Sequence, residues 1–145
     1  MRISNTLLIN RTSTEAPVMA TPIAGRDTLY YDARCPLCSR EVRTLRHLAD
    51  GGLAFQDIHY YRPDWGQPKP DTLLRTLHLC DTNGRWRTGV DATVQAWSHT
   101  RWGWLLRPLR WPLLAPVADH LYSLWARRRY QRLYSCTQCF AAADK

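Results

Sequence analysis

Hydrophobic positions change their spacing several times along the first hundred residues, and each change marks an element. Thr28-Leu29-Tyr30-Tyr31 is a short β-branched and aromatic run that predicts a buried strand. From Pro36 to about Ala49 the pattern becomes helical: Val42, Leu45, Leu48 and Ala49 share one face, while Ser39, Arg40, Arg43 and Arg46 take the other. Asp50-Gly51-Gly52 stops that helix, and Leu53 to Ile58 predicts a second strand. The segment from His59 to Asp71 holds Pro63, Gly66, Pro68 and Pro70 and reads as a loop with room for a helical turn. A third strand is expected from about Thr76 to Cys80, a hairpin turn at Asp81-Thr82-Asn83-Gly84, and a returning strand over Arg85 to Thr88. Gly89-Val90-Asp91 then leads into a helix through Ala92, Val94, Ala96 and Trp97, with Asp91 as its expected N-cap.

From Arg101 to about Tyr134 the pattern is helical but cut by Pro108, Pro112 and Pro116. The longest piece, about Leu113 to Leu133, aligns Val117, Leu121, Leu124 and Tyr130 in an apolar stripe. Arg127, Arg128, Arg129 and Arg132 gather near its C-terminal end, where positive charge complements the helix dipole. The order strand, helix, strand, loop, hairpin, helix is that of a minimal thioredoxin-like domain. The expected fold class is therefore α/β: a central mixed sheet of about four strands flanked by helices, with a C-terminal helical extension. Residues 1–26 are expected to be a disordered extension, 27–134 the domain, and 135–145 a tail.

Composition adds three constraints. At 145 residues the chain suits one domain that folds without disulfide staples. Its net charge of +8 comes almost wholly from arginine, since Lys69 and Lys145 are the lysines, and an arginine surplus favours carboxylate, phosphate or anionic-lipid partners. Every apolar run is far shorter than the roughly 20 residues of a bilayer span. The Leu7-Leu8-Ile9 patch is too short for a secretory core, and a disordered extension is favoured over a transit peptide. A cytoplasmic, reducing setting is therefore expected for the five cysteines, where C-x-x-C pairs are more often redox or metal sites than staples.

The chemistry centres on Cys35-Pro36-Leu37-Cys38, placed between a strand and a helix. Two cysteines three apart at a helix start can close a disulfide across one turn. Unpaired backbone N–H groups there favour an anion, which is expected to lower the pKa of Cys35 and leave it the more accessible thiol. Cys35 would attack a partner disulfide and Cys38 would resolve the mixed disulfide. Asp32 has two readings: a proton acceptor for Cys38, or an Asx turn that shapes the loop and caps the helix.

Residues 31–42, Tyr31-Asp32-Ala33-Arg34-Cys35-Pro36-Leu37-Cys38-Ser39-Arg40-Glu41-Val42, resemble the signature of the DCC family of thiol-disulfide oxidoreductases, which is named for its D-x-x-C-x-x-C pattern. Asp81 to Arg85 with Thr88 to Ala92, and the stretch through Trp111-Pro112-Leu113, Leu121-Tyr122 and Ala126 to Tyr130, resemble later blocks of that family. The resemblance covers roughly residues 28–132. It implies a thioredoxin-like fold and disulfide exchange with protein thiols and disulfides. An unidentified electron donor or acceptor is expected as a partner, and no cofactor is expected. Ala33 stands where the family usually has glycine. No proline directly precedes the Thr76 to Cys80 strand, so the cis-proline that faces the site in thioredoxins is expected to be missing.

Other readings compete. The second pair, Cys136 and Cys139, is open to three: a zinc site shared with the first pair, an auxiliary dithiol exchanging with it, or idle tail thiols. Cys80 reads as a buried core residue, and His78 and His120 as packed or surface residues rather than ligands. The Trp and Arg residues from Arg101 to Trp111, with the later arginines, suit an anionic membrane surface or nucleic acid. The favoured account packs those aromatics on the core and turns the arginines to water. Nucleic acid is disfavoured as a partner, and peripheral membrane contact is left open.

Overall fold

The computed structural model describes residues 23–134. Four strands form one sheet in the order β2-β1-β3-β4: β1 is Asp27–Tyr31, β2 Leu53–Asp57, β3 His78–Cys80 and β4 Trp86–Thr88. β1 runs parallel to β2 and antiparallel to β3, and β3 is antiparallel to β4. The β1–β2 pair needs a crossover, which α1 (Pro36–Leu48) supplies. α2 (Pro70–Arg75), α3 (Gly89–Ser98) and α4 (Ala115–Tyr134) complete the domain.

Alternation along the strands divides the core in two. Leu29 and Leu79 face each other in register and join Val42 and Leu45 of α1 with Ala92 and Ala96 of α3. Their neighbours Tyr30 and Cys80 point the opposite way, into a cluster with Ile58, Tyr61 and Leu73. The central strand even buries a carboxylate. Asp27 accepts hydrogen bonds from Thr82 N (3.0 Å) and Gln95 Nε2 (2.8 Å), and it pairs with His99 Nε2 at 2.9 Å.

Several expectations need revision. Residues 23–26, assigned to the extension, are ordered: Ile23–Gly25 form a 3-10 turn, and Ile23 N donates to Thr28 Oγ1. The second strand ends at Asp57, because Asp57 accepts from His59 N and caps a 3-10 turn over Ile58–Tyr60. Pro70 opens α2, which the sequence left within a loop and its margin, and the third strand shortens accordingly to His78–Cys80. Thr88, not Asp91, is the N-cap of α3; Asp91 lies in the first turn and pairs with Arg110. Gly89 opens this helix at φ +57°, and a Cβ there would lie 3.3 Å from the Tyr122 ring.

The C-terminal part differs most. Trp102, Trp104 and Trp111 are exposed rather than packed on the core. The stripe on α4 is also exposed at Val117 (55%), Leu121 (61%) and Leu124 (38%), and Ala126 is the residue α4 buries. Polar contacts hold this helix instead. Leu77 N donates to Tyr122 Oη at 2.9 Å, and Tyr130 Oη donates to Asp71 Oδ1 at 2.6 Å. No described helix is long and apolar enough to cross a membrane.

Candidate active site

The strand-to-helix junction positions the dithiol. Beyond Tyr31 the chain turns through Asp32, whose Oδ1 accepts from Arg34 N (3.0 Å) while its carbonyl accepts from Cys35 N (3.1 Å). Cys35 is then the N-cap of α1 with extended backbone (φ −86°, ψ 114°), and Pro36 occupies the first helical position. The Asx turn is therefore present, but no side chain caps the helix, so Asp32 lacks the capping half of its structural reading.

Helical periodicity fixes which way each sulfur faces. Cys38, Val42 and Leu45 follow at intervals of four and three, so Cys38 shares the buried face of α1. Cys35 borders a cleft of about 520 Å³ walled by Leu37, Leu121, Leu124 and Trp125, with Arg128 and Arg132 at its edge. Both thiols are free and both are buried, Cys35 at 3% exposure and Cys38 at 6%. The expected open thiol is not found: α4, read from the sequence as a C-terminal extension, supplies most of the cleft wall above Cys35.

Electrostatics single out Cys38. Burial is the main force pushing its thiol up, to about 12, with a hydrogen bond to Cys35 adding to the rise and Arg129 opposing it. The Arg129 guanidinium, carried in from α4, donates through Nη1 to Cys38 Sγ at 3.1 Å. Its Nη2 donates to the Leu74 carbonyl, and its Nε is buried without a partner. Burial disfavours the charge on Arg129, yet the two sulfurs and Asp32 raise its pKa further. One cation thus contacts Cys38 and acts electrostatically on Cys35 and Asp32.

Asp32 is the second hub. It is 1% exposed and hydrogen-bonded at both oxygens: His59 Nε2 lies 2.9 Å from Oδ1, and Tyr134 Oη donates to Oδ2 at 2.8 Å. Burial alone would raise its pKa, but hydrogen bonds from His59, Tyr134 and Arg34 N, together with the charge on Arg129, hold the carboxyl below its ordinary range. His59 is partly exposed and links this buried carboxylate to solvent.

The structure thus joins Asp32, Cys35 and Cys38 and adds Arg129, His59 and Tyr134, which sequence reasoning missed. Arg129 sat in an arginine run read as solvated, yet it falls three, four and seven residues after Ala126, Trp125 and Tyr122, on the face that packs inward. That spacing was the available signal. Cys80 is buried as expected, its thiol raised to about 11 chiefly by burial, and His78 is buried with Nδ1 on the Thr76 carbonyl. Among the described residues no cluster of His, Cys, Asp or Glu could hold a metal. Cys136 and Cys139, on which the zinc reading depends, lie outside the described residues.

A four-stranded mixed sheet flanked by helices, with a C-x-x-C at the first strand-to-helix junction, defines a thioredoxin-like domain. Comparison with known proteins narrows the class. A model of the DCC1-like thiol-disulfide oxidoreductase family matches residues 29–134, and the chain belongs to that family. It is also 31% identical over 137 residues to an uncharacterized chloroplastic protein of Arabidopsis thaliana, covering 85% of this chain and 63% of that relative. No solved structure matches.

Proposed function

We propose that this chain exchanges disulfides with protein substrates, with Cys35 as nucleophile, Cys38 as resolving thiol and Asp32 as proton acceptor. The observation that carries the reading is the Arg129 contact to Cys38 Sγ beside a cleft that Cys35 borders. Cys35, as thiolate, attacks one sulfur of the substrate disulfide; the other substrate sulfur leaves as a thiolate and takes up a proton. Cys38 then attacks Cys35 Sγ and releases the second substrate thiolate. In this mixed disulfide the Cys35 contribution that raised the Cys38 pKa is gone while Arg129 remains, so Cys38 becomes more acidic at the step that requires it. Its proton passes to Asp32 and leaves by way of His59.

The net reaction oxidises the Cys35/Cys38 dithiol and reduces the substrate, or runs in reverse when the partner's potential dictates. A separate donor or acceptor closes the cycle, and a reducing compartment such as the cytoplasm suits a dithiol kept free. Cys35→Ser is expected to abolish insulin-disulfide reduction while Cys38→Ser accumulates a stalled mixed disulfide. Normal turnover by Cys35→Ser removes the reading.

A further inference from the structure

The last described residue brings the chain back to its own active site. Tyr134 Oη donates to Asp32 Oδ2, three residues before Cys35, and Leu133 lines the same cleft as Cys35. Cys136 follows Leu133 by three residues, a span of at most about 11 Å even when fully extended. The next residues are Thr137-Gln138-Cys139-Phe140. Thus a second dithiol is tethered, by a few bonds, to the wall of the cavity that Cys35 borders. The cavity walls are apolar and its edge is basic, which suits Phe140 and Asp144 of the same tail.

We propose that the tail over residues 135–145 docks in this cleft and that Cys136 and Cys139 form an internal electron donor to Cys35 and Cys38. The inference rests on the exchange chemistry above and adds its partner. With Cys35 and Cys38 oxidised, the Cys136 thiolate attacks Cys35 Sγ, and Cys38 leaves as a thiolate facing Arg129. Cys139 then attacks Cys136 Sγ and releases Cys35. Two electrons move from the tail dithiol to the motif, and the two protons lost by Cys136 and Cys139 are regained at Cys35 and Cys38. So short a tether gives an effective concentration in the millimolar range. The tail therefore outcompetes dilute external thiols, and one chain stores two dithiols, enough to reduce two disulfides.

The full chain, reduced and freed of reductant, tests this by the number of insulin disulfides it reduces. Two per chain are expected, falling to one in the Cys136→Ser/Cys139→Ser variant and to none in Cys35→Ser. One disulfide from both the unaltered chain and the tail variant overturns the relay and leaves the Cys35 chemistry standing. None from either chain removes both, and one from Cys35→Ser shows the tail acting by itself and also overturns the relay. A trapping experiment reads the contact directly. In Cys38→Ser/Cys139→Ser oxidised with diamide, trypsin should release residues 35–40 disulfide-linked to residues 133–145, in a monomer and unchanged by about 100-fold dilution. A dilution-sensitive dimer, or an unlinked Cys35, overturns the docking.

Discussion

The sheet and α4 are held by opposite means. Leu29, Leu45 and Leu79 are at most 1% exposed and lock β1, β3 and α1 together by apolar burial. α4, the longest described helix, buries Ala126 alone and is fastened through Tyr122, Arg129, Tyr130 and Tyr134, each reaching a backbone or side-chain group of the sheet domain or its active site. Apolar burial is non-directional and sums with area, so it stabilises without caring which atoms meet. Polar anchors are worth less each but fix atom to atom. The domain therefore owes its stability to the first region, and the geometry around the two sulfurs to the second.

Leu45→Ala is the strongest blow to the first region. It empties a fully buried site between the sheet and α1 and is expected to cost about 2–5 kcal/mol in urea unfolding. The folded fraction should retain its exchange rate per molecule, because no atom around the sulfurs is removed. A loss of rate out of proportion to the loss of folded protein would merge the two regions. Arg129→Met inverts the effect. The methionine keeps most of the stem but removes the donor to Cys38 Sγ and to the Leu74 carbonyl, for about 1–3 kcal/mol of stability. Resolution of the mixed disulfide, followed by stopped flow, should slow by about 10-fold or more, since a single charge-assisted contact of that order sets the Cys38 thiolate. An unchanged resolution rate would remove Arg129 from the chemistry.

This division also explains what could be read from the sequence. β1, α1, β2 and the hairpin announce themselves through period, turn residues and Pro36, because local pattern and burial agree there. The placement of Asp32, Cys35 and Cys38 at the strand-to-helix junction followed. α2 was hidden because six residues at the end of a proline-rich stretch carry little period, and its one buried anchor, Leu73, needs the far face of the sheet to give it meaning. α4 was legible as a helix but not as a wall of the site. Its apolar stripe predicted a face turned to the core, yet Val117 and Leu121 face out while Tyr122 and Arg129 turn in. Contacts 91 residues apart for Arg129 with Cys38, and 102 for Tyr134 with Asp32, leave no trace in local spacing.

Acid separates the regions by degree. Burial works against the charge of Asp27, but His99, Gln95 and Thr82 N outweigh it and lower its pKa below 3.8. A carboxyl depressed in the folded state lends stability that is complete above its unfolded value, about 4, and is lost as pH falls through the folded value. Asp27→Asn should cost about 1–2 kcal/mol at neutral pH. It should also flatten the decline in urea midpoint below about pH 4. An undiminished slope there would assign the acid sensitivity elsewhere, with Asp32 next to be substituted because its pKa is lowered in the same sense.

The finest test loosens α4 without touching either sulfur. In Tyr122→Phe the Leu77 N–H loses its acceptor, at a cost of about 1 kcal/mol, while the ring still packs beside Gly89. If α4 opens as a unit separate from the sheet, its amide protection should drop about five-fold, the factor that this energy sets. Protection in β1 and β3 should stay where it was. Alkylation of Cys35 should accelerate by the same factor, since the cleft wall that shields it belongs to α4. Equal losses in α4 and β1 would mean that the helix and the sheet open together, and that the polar anchors belong to the same cooperative unit as Leu29 and Leu79.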